Sequence, residues 1–192
     1  MRLIMHAGLL GLILAVPLAS AWAEDNEEAR YADAVQVFLN AGESGTFFDN
    51  SYGYAIFPTI GKAGFVVGGA YGKGRVYIGG NHVGDTTMTQ LSVGFQLGGQ
   101  AYSEIIFFQD QRAFDEFRDN FEFGAQATAV AVTAGVSAGA STTGASAGAS
   151  GGKHDATTIG SYYKGMAVFI VAKGGLMYEA SVSGQKFTYT PG

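Results

Sequence analysis

Across 192 residues the chain sets 11 Lys and Arg against 16 Asp and Glu, a net charge of −5, and it contains no cysteine. That balance argues against a general nucleic-acid role, because polyanion-binding proteins carry a basic excess. The missing thiols exclude disulfides, thiolate metal sites and cysteine nucleophiles.

The N-terminus has the pattern of a secretory signal peptide. Arg2 precedes an apolar run from Ala7 to Val16, then Pro17, and Ala21-Trp22-Ala23 offers a small-x-small cleavage site before Glu24. The run falls short of the roughly 20 residues a membrane-spanning helix needs. Residues 1–23 are therefore expected to be removed, and an uncleaved anchor is the alternative. Cleavage leaves a single domain, 24–192, of 169 residues at net −6, since Arg2 is the only charge lost. Such a protein is expected to be periplasmic or secreted, and at most peripheral to a membrane.

Glu24 to Glu28 reads as an acidic, frayed lead-in to a helix whose stripe is Tyr31, Val35, Phe38 and Leu39. Asn40 to Gly42 ends it, with Gly42 as a left-handed cap. The stripe fits a helix packed on a sheet; the alternative is a membrane-surface helix contacting lipid through Tyr31, Val35 and Phe38. From Gly53 to Gly80 the sequence GYAIFPTIGKAGFVVGGAYGKGRVYIGG reads as three short apolar strands broken at Pro58, Gly61 and the glycines from Gly68 to Gly74. Its only charges are Lys62, Lys73 and Arg75. Asn81 to Asp85 reads as a turn, Thr86 to Gln100 as an alternating strand and Ala101 to Phe108 as another.

Asp110 is a good N-cap for a second helix with Ala113, Phe114, Phe117 and Phe121 as its apolar stripe. From Gln126 the composition shifts to Ala, Gly, Ser, Thr and Val. Ala127 to Val136 is strand-like, whereas 137–152 is a low-complexity loop. Ile159 to Ala172 and Gly175 to Val182 read as strands, and Lys186 to Tyr189 as a final edge. Turns this short between strands imply antiparallel pairing. The fold class expected is α+β, a strongly bent antiparallel sheet or partial β-barrel flanked by two or more helices.

Little here resembles a catalytic or metal centre. GGAYGKG has the wrong spacing for a phosphate-binding P-loop, although amides in a glycine-rich turn beside Lys73 and Arg75 could form an anion nest. After residue 23 the histidines are His82, in a turn, and His154, beside the low-complexity loop, with no partner at a ligand spacing. Glu104, Asp110, Asp115 and Glu122 read as solvated structural charges. No GxSxG occurs. No catalytic residue, metal ligand or cofactor is expected.

The ordered series GYAIFPTIGKAGFVVGGAYGKGRVYI, LSVGFQLGGQAYSEIIFF, AFDEF, an Ala/Gly-rich stretch and SYYKGMAVFIVAKGGLMYEASVSGQK resembles the SYLF domain. That is a lipid-binding domain of secreted bacterial proteins, also joined to SH3 or FYVE modules in eukaryotes as the Ysc-type actin-binding domain. The resemblance implies binding of phosphoinositides and other anionic phospholipids, without catalysis. An exported bacterial-type protein would meet neither actin nor abundant phosphoinositide, and the charge balance speaks against nucleic acid, so the partner expected is a phospholipid or membrane surface. Lys62, Lys73 and Arg75 are the candidate headgroup ligands. The alternatives are a structural or self-associating envelope protein and an uncharacterised hydrolase.

Overall fold

The computed structural model describes residues 17–63, 67–93, 101–124, 130–131, 162–173, 182 and 184–192. Its elements in chain order are α1 (Pro17–Leu39), a 3-10 segment (Gly42–Phe47), β1 (Gly53–Ala63), β2 (Val67–Ile78), β3 (Asn81–Val93), β4 (Ala101–Phe108), α2 (Gln111–Arg118), β5 (Val130–Ala131), β6 (Met166–Lys173) and β7 (Gln185–Pro191). The strands form one sheet in the order β5-β6-β4-β1-β2-β3-β7. Six of them pair antiparallel, and the two-residue β5 adds to β6 in parallel. The α+β class and the bent antiparallel sheet expected from sequence are what the structure shows, and the sheet does not close into a barrel.

The stretch around β1 is longer and plainer than the three strands anticipated. Gly53–Ala63 and Val67–Ile78 are two long strands in register, Gly53 opposite Ile78 and Ala63 opposite Gly69. Pro58 does not end β1. It sits where the register shifts against β2 and also against β4, because a residue without N–H is tolerated in a central strand only at a bulge. Ser103 Oγ donates to the Pro58 carbonyl at 2.8 Å and so uses the acceptor left there. The GGAYGKG run is inside β2 rather than in a turn. The turn is Gly79-Gly80, both at positive φ (55° and 81°), the two-residue hairpin geometry that glycine adopts without strain. β3 therefore begins at Asn81, where a turn was expected.

The sheet bends so far that β4 and β7, four ladders apart, face each other across its concave side. Gln185 Nε2 on β7 donates to Glu104 Oε2 on β4 at 2.9 Å, and the Phe57 and Phe187 rings lie 5.7 Å apart. Gly74 permits this curvature: a Cβ there would come within 2.7 Å of the Phe57 ring and 2.8 Å of the Ile56 carbonyl oxygen. α2 closes the mouth of the bend, with Ala113 and Phe117 buried among the concave-face side chains. Its Asp110 cap forms as expected, accepting from the Ala113 amide at 2.9 Å. The helix is a turn shorter than its stripe implied. Asn120 at φ 60° turns the chain out, and Phe121 packs from an extended segment that hydrogen-bonds to Gln185 and Phe187 on the outer edge of β7. That segment covers an edge that would otherwise present unpaired backbone groups.

α1 lies on the convex face. Tyr31, Ala34 and Phe38 pack with Phe47 from the 3-10 segment onto Ile56, Ile105, Phe107 and Phe169. Gly42 opens the 3-10 segment instead of capping the helix, and the Ser44 hydroxyl approaches the Phe38 and Ala41 carbonyls at 2.6 and 2.8 Å. The expected strand at Ala127 to Val136 is represented by β5, and the strand at Ile159 to Ala172 by β6. The low-complexity loop 137–152, residues 175–181 of the strand expected at Gly175 to Val182, and the signal segment 1–16 lie outside the described residues.

Candidate functional site

The structure does not gather the three candidate cations at one glycine-rich turn. Lys73 and Arg75 point to the convex face from the middle of β2, opposite Thr59 and Ile56 on β1. Their neighbouring amides belong to the ladders, so no anion nest forms there. Lys62 stands on β1 opposite Ala70, and its side chain is outside the described residues.

Arg75 already has partners. Its side chain is 17% exposed; it lies 3.8 Å from Glu27 and 4.0 Å from Asp85, donates to the Glu28 carboxylate, and stacks 4.4 Å over the Tyr31 ring. Burial disfavours its charge, but hydrogen bonds with Glu28 and Tyr77 outweigh that and hold the guanidinium even more firmly protonated. The acidic lead-in is helix, contrary to expectation, and Arg75 contacts it through Glu27 and Glu28. A cation stacked on a ring contributes about 0.5–1 kcal/mol at exposed sites and about 2 when desolvated, as the buried Tyr31 ring is, and each ion pair to a half-exposed carboxylate at most about 1.

The α1 residues offered as a lipid contact face the sheet. Tyr31 and Phe38 are buried and Val35 is partly buried against the same cluster, which is the packed-helix alternative. Burial pushes the Tyr31 hydroxyl up to about 12, although Arg75 opposes the shift.

α1 covers only part of the convex face. Across β1, β2, β3 and β7 runs the row Thr59, Lys73, Thr87, Thr188, with the hydroxyls of Thr87 and Thr188 2.6 Å apart. Beside it Tyr71, Thr89 and Lys186 are in register on β2, β3 and β7. Leu91, one step along β3, is diagonal to Tyr71. Leu91 is 82% exposed and Tyr71 51%; Lys73 is exposed, and Lys186 is exposed with Glu122 at 3.2 Å. Two large apolar side chains and two lysines share one sheet surface that α1 leaves uncovered. Of these four, the sequence reading singled out Lys73 alone. The alternation of Thr86 to Leu91 places Thr87, Thr89 and Leu91 on one face, whereas Tyr71 and Lys186 join them only through strand register.

The concave interior holds a second feature missed from sequence. Glu104, read as a solvated charge, is 0% exposed. On β4 it shares a side with Tyr102, Ile106 and Phe108, all in the concave core. Gln185 joins it to Tyr102, donating to the tyrosine oxygen at 3.2 Å. Burial first, then the Glu104 carboxylate, raises the Tyr102 hydroxyl far above its usual range. At the open end of the bend an exposed groove of about 640 Å³ runs between Tyr52, Ile78, Phe114, Tyr189 and the Arg118–Asp119 pair.

His82 places Nε2 3.1 Å from both Asp85 Oδ1 and the Gly84 carbonyl, beside the bulge at Val83; it lies in β3 and not in a turn. His154 is outside the described residues. Among the described residues no three acidic or imidazole groups converge as a metal would require, and no helix is long and apolar enough to cross a membrane.

A bent antiparallel sheet with one helix in its mouth and another on its back is an α+β fold. The profile of the Ysc84 family, described as "Las17-binding protein actin regulator", matches residues 89–190, more than half of the chain, and the chain belongs to that family. It is also similar to Beta cell expansion factor A of Aeromonas veronii, 27% identical over 165 residues that make up 80% of this chain and 51% of that protein. The chain therefore spans about half the length of that curated relative. At the level of the family the role is one of binding, to lipid or in actin regulation.

Proposed function

We propose that this chain is a non-catalytic module that binds anionic phospholipid at a membrane of the cell envelope, through the uncovered half of its convex face. The observation that carries the reading is the grouping of Leu91 and Tyr71 with Lys73 and Lys186 on that surface. An exposed apolar patch rimmed by polar residues marks a contact surface more often than a solvated one. Each lysine near an anionic leaflet contributes about 1 kcal/mol, and tyrosine suits the headgroup level. Such binding is weak, and salt screens its electrostatic part. Arg75 supplies less than the sequence implied, because carboxylates already surround it. Export with loss of residues 1–23 would bring the domain to that surface, and intact mass of the envelope-fraction protein, with Glu24 at its N-terminus, tests this.

No catalytic role is assigned. Among the described residues His82 alone supplies an imidazole, and its Nε2 faces Asp85 and a carbonyl. The binding experiment is flotation with phosphatidylglycerol and with phosphatidylcholine vesicles. The protein should float with the first, less so at high salt, and the Lys73→Ala/Lys186→Ala variant should float several-fold less. Equal flotation on both lipids, indifferent to the lysines, would remove the proposal. The exposed Leu91 also favours a second reading, self-association through the same face, for which sedimentation without lipid should show a concentration-dependent dimer.

A further inference from the structure

The N-terminal turns of α1 are attached to the sheet differently from the rest of the helix. Residues 24–30 are all exposed, and from residue 24 onward burial along α1 starts at Tyr31. Arg75 joins those turns to the convex face through Glu27 and Glu28. The two carboxylates remain 50% and 68% exposed, so water and salt reach the pair and an exchanging anion can too.

Arg75 is also continuous with the uncovered surface. Along β2 the convex side presents Tyr71, Lys73, Arg75 and Tyr77 in succession, two cations between two aromatic rings. The acidic turn lies over one of those cations and leaves the other free. A glutamate carboxylate and a phosphate monoanion are alike to a guanidinium: both are oxyanions that can accept two parallel N–H bonds. We propose that the Glu27–Glu28 turn is a built-in competitor for Arg75, displaced when the phosphate of an anionic lipid already held by Lys73 takes its place. The inference rests on the lipid-binding reading above and adds its regulation. Asp85 is opposite Arg75 on the neighbouring strand and stays in place, so Arg75 keeps one carboxylate nearby while the helix turn leaves. Tyr31 and Phe38 stay packed, which limits the movement to the turns before Tyr31.

The test uses the full chain and phosphatidylglycerol vesicles. Glu27→Gln/Glu28→Gln should float several-fold more than the wild type. A control, Glu116→Gln/Asp119→Asn, makes the same change in net charge on α2 and should gain much less. Hydrogen exchange of the wild-type amides in 25–30 should quicken when vesicles are added, while those in 34–38 hold. Equal gains in both variants, or no gain in the first and unchanged exchange, overturn the competitor while leaving lipid binding intact. Failure of the wild type and of Glu27→Gln/Glu28→Gln to float sinks the lipid reading and the competitor with it.

Discussion

Along β2, Gly72, Gly74 and Val76 look into the bend, while Tyr71, Lys73 and Arg75 look out of it. The inward set is constrained on every side. Gly74 has no room for a methyl group, and Val76 is buried with Phe57, Met88 and Phe187 in one continuous cluster. The outward set is held at one end only, where Arg75 is stacked on Tyr31; two residues away Lys73 is open to solvent. One strand thus serves a closed core and an open surface. Stability and binding should separate by side-chain parity rather than by position along the chain.

The largest effect expected is on the inward side. Phe187 is 1% exposed and its ring meets Phe57, Phe117 and Phe123 at 5.2 to 5.7 Å. Phe187→Ala should cost about 3–5 kcal/mol in urea unfolding, as large buried aromatics do when truncated. A cost under 1 kcal/mol would mean that the two limbs of the bend do not pack as described.

Gln185→Leu comes next. It removes the amide that links Glu104 to β7, and taking one partner from a buried polar group costs about 1–3 kcal/mol. The loss should appear in urea unfolding with little change in flotation, because the group is enclosed. Gly74→Ala follows at about 1–3 kcal/mol, the usual penalty for overpacking, since a ring and a backbone carbonyl oxygen stand where the Cβ would go. An unchanged unfolding midpoint for Gly74→Ala would show that β1 and β2 approach less closely.

Local chemistry made part of this readable in advance. Asp110 capped its helix because a side-chain acceptor three residues before a free amide is a short-range matter. The run ending in IIFF gave β4 because burial on both faces leaves a strand uniformly apolar. Glycine misled, since it serves two purposes with one signature. Gly79 and Gly80 turn the chain, whereas Gly72 and Gly74 admit a neighbour, and both kinds sit among the same apolar residues. The partners of Arg75 on α1 were out of reach because they are distant in sequence, Glu28 by 47 residues, and no periodicity joins a helix turn to one side of a strand. Glu104 was misjudged for the same reason, its donor being 81 residues distant. Of the proposed surface, Lys73 was legible as a cation; the neighbourhood of Leu91, Tyr71 and Lys186 needed strand register.

The smallest effect on stability, and the sharpest test of the comparison, belongs to Leu91. With 82% of its surface in water, Leu91→Ser removes almost no buried area, and surface changes of this kind stay within about 0.5 kcal/mol. In a membrane the same side chain leaves water, and full burial of a leucine contributes about 1.5–3 kcal/mol relative to exposure. If Leu91 enters the headgroup region, the serine variant should unfold like the wild type and float at least several-fold less, at high and low salt alike. Lys73→Ala should weaken flotation chiefly at low salt, because its contribution is screened. The two losses should therefore diverge as salt is raised, the lysine's fading and the leucine's persisting. If instead Leu91→Ser leaves flotation untouched and abolishes a concentration-dependent dimer, the uncovered face meets a second copy of the chain and not lipid.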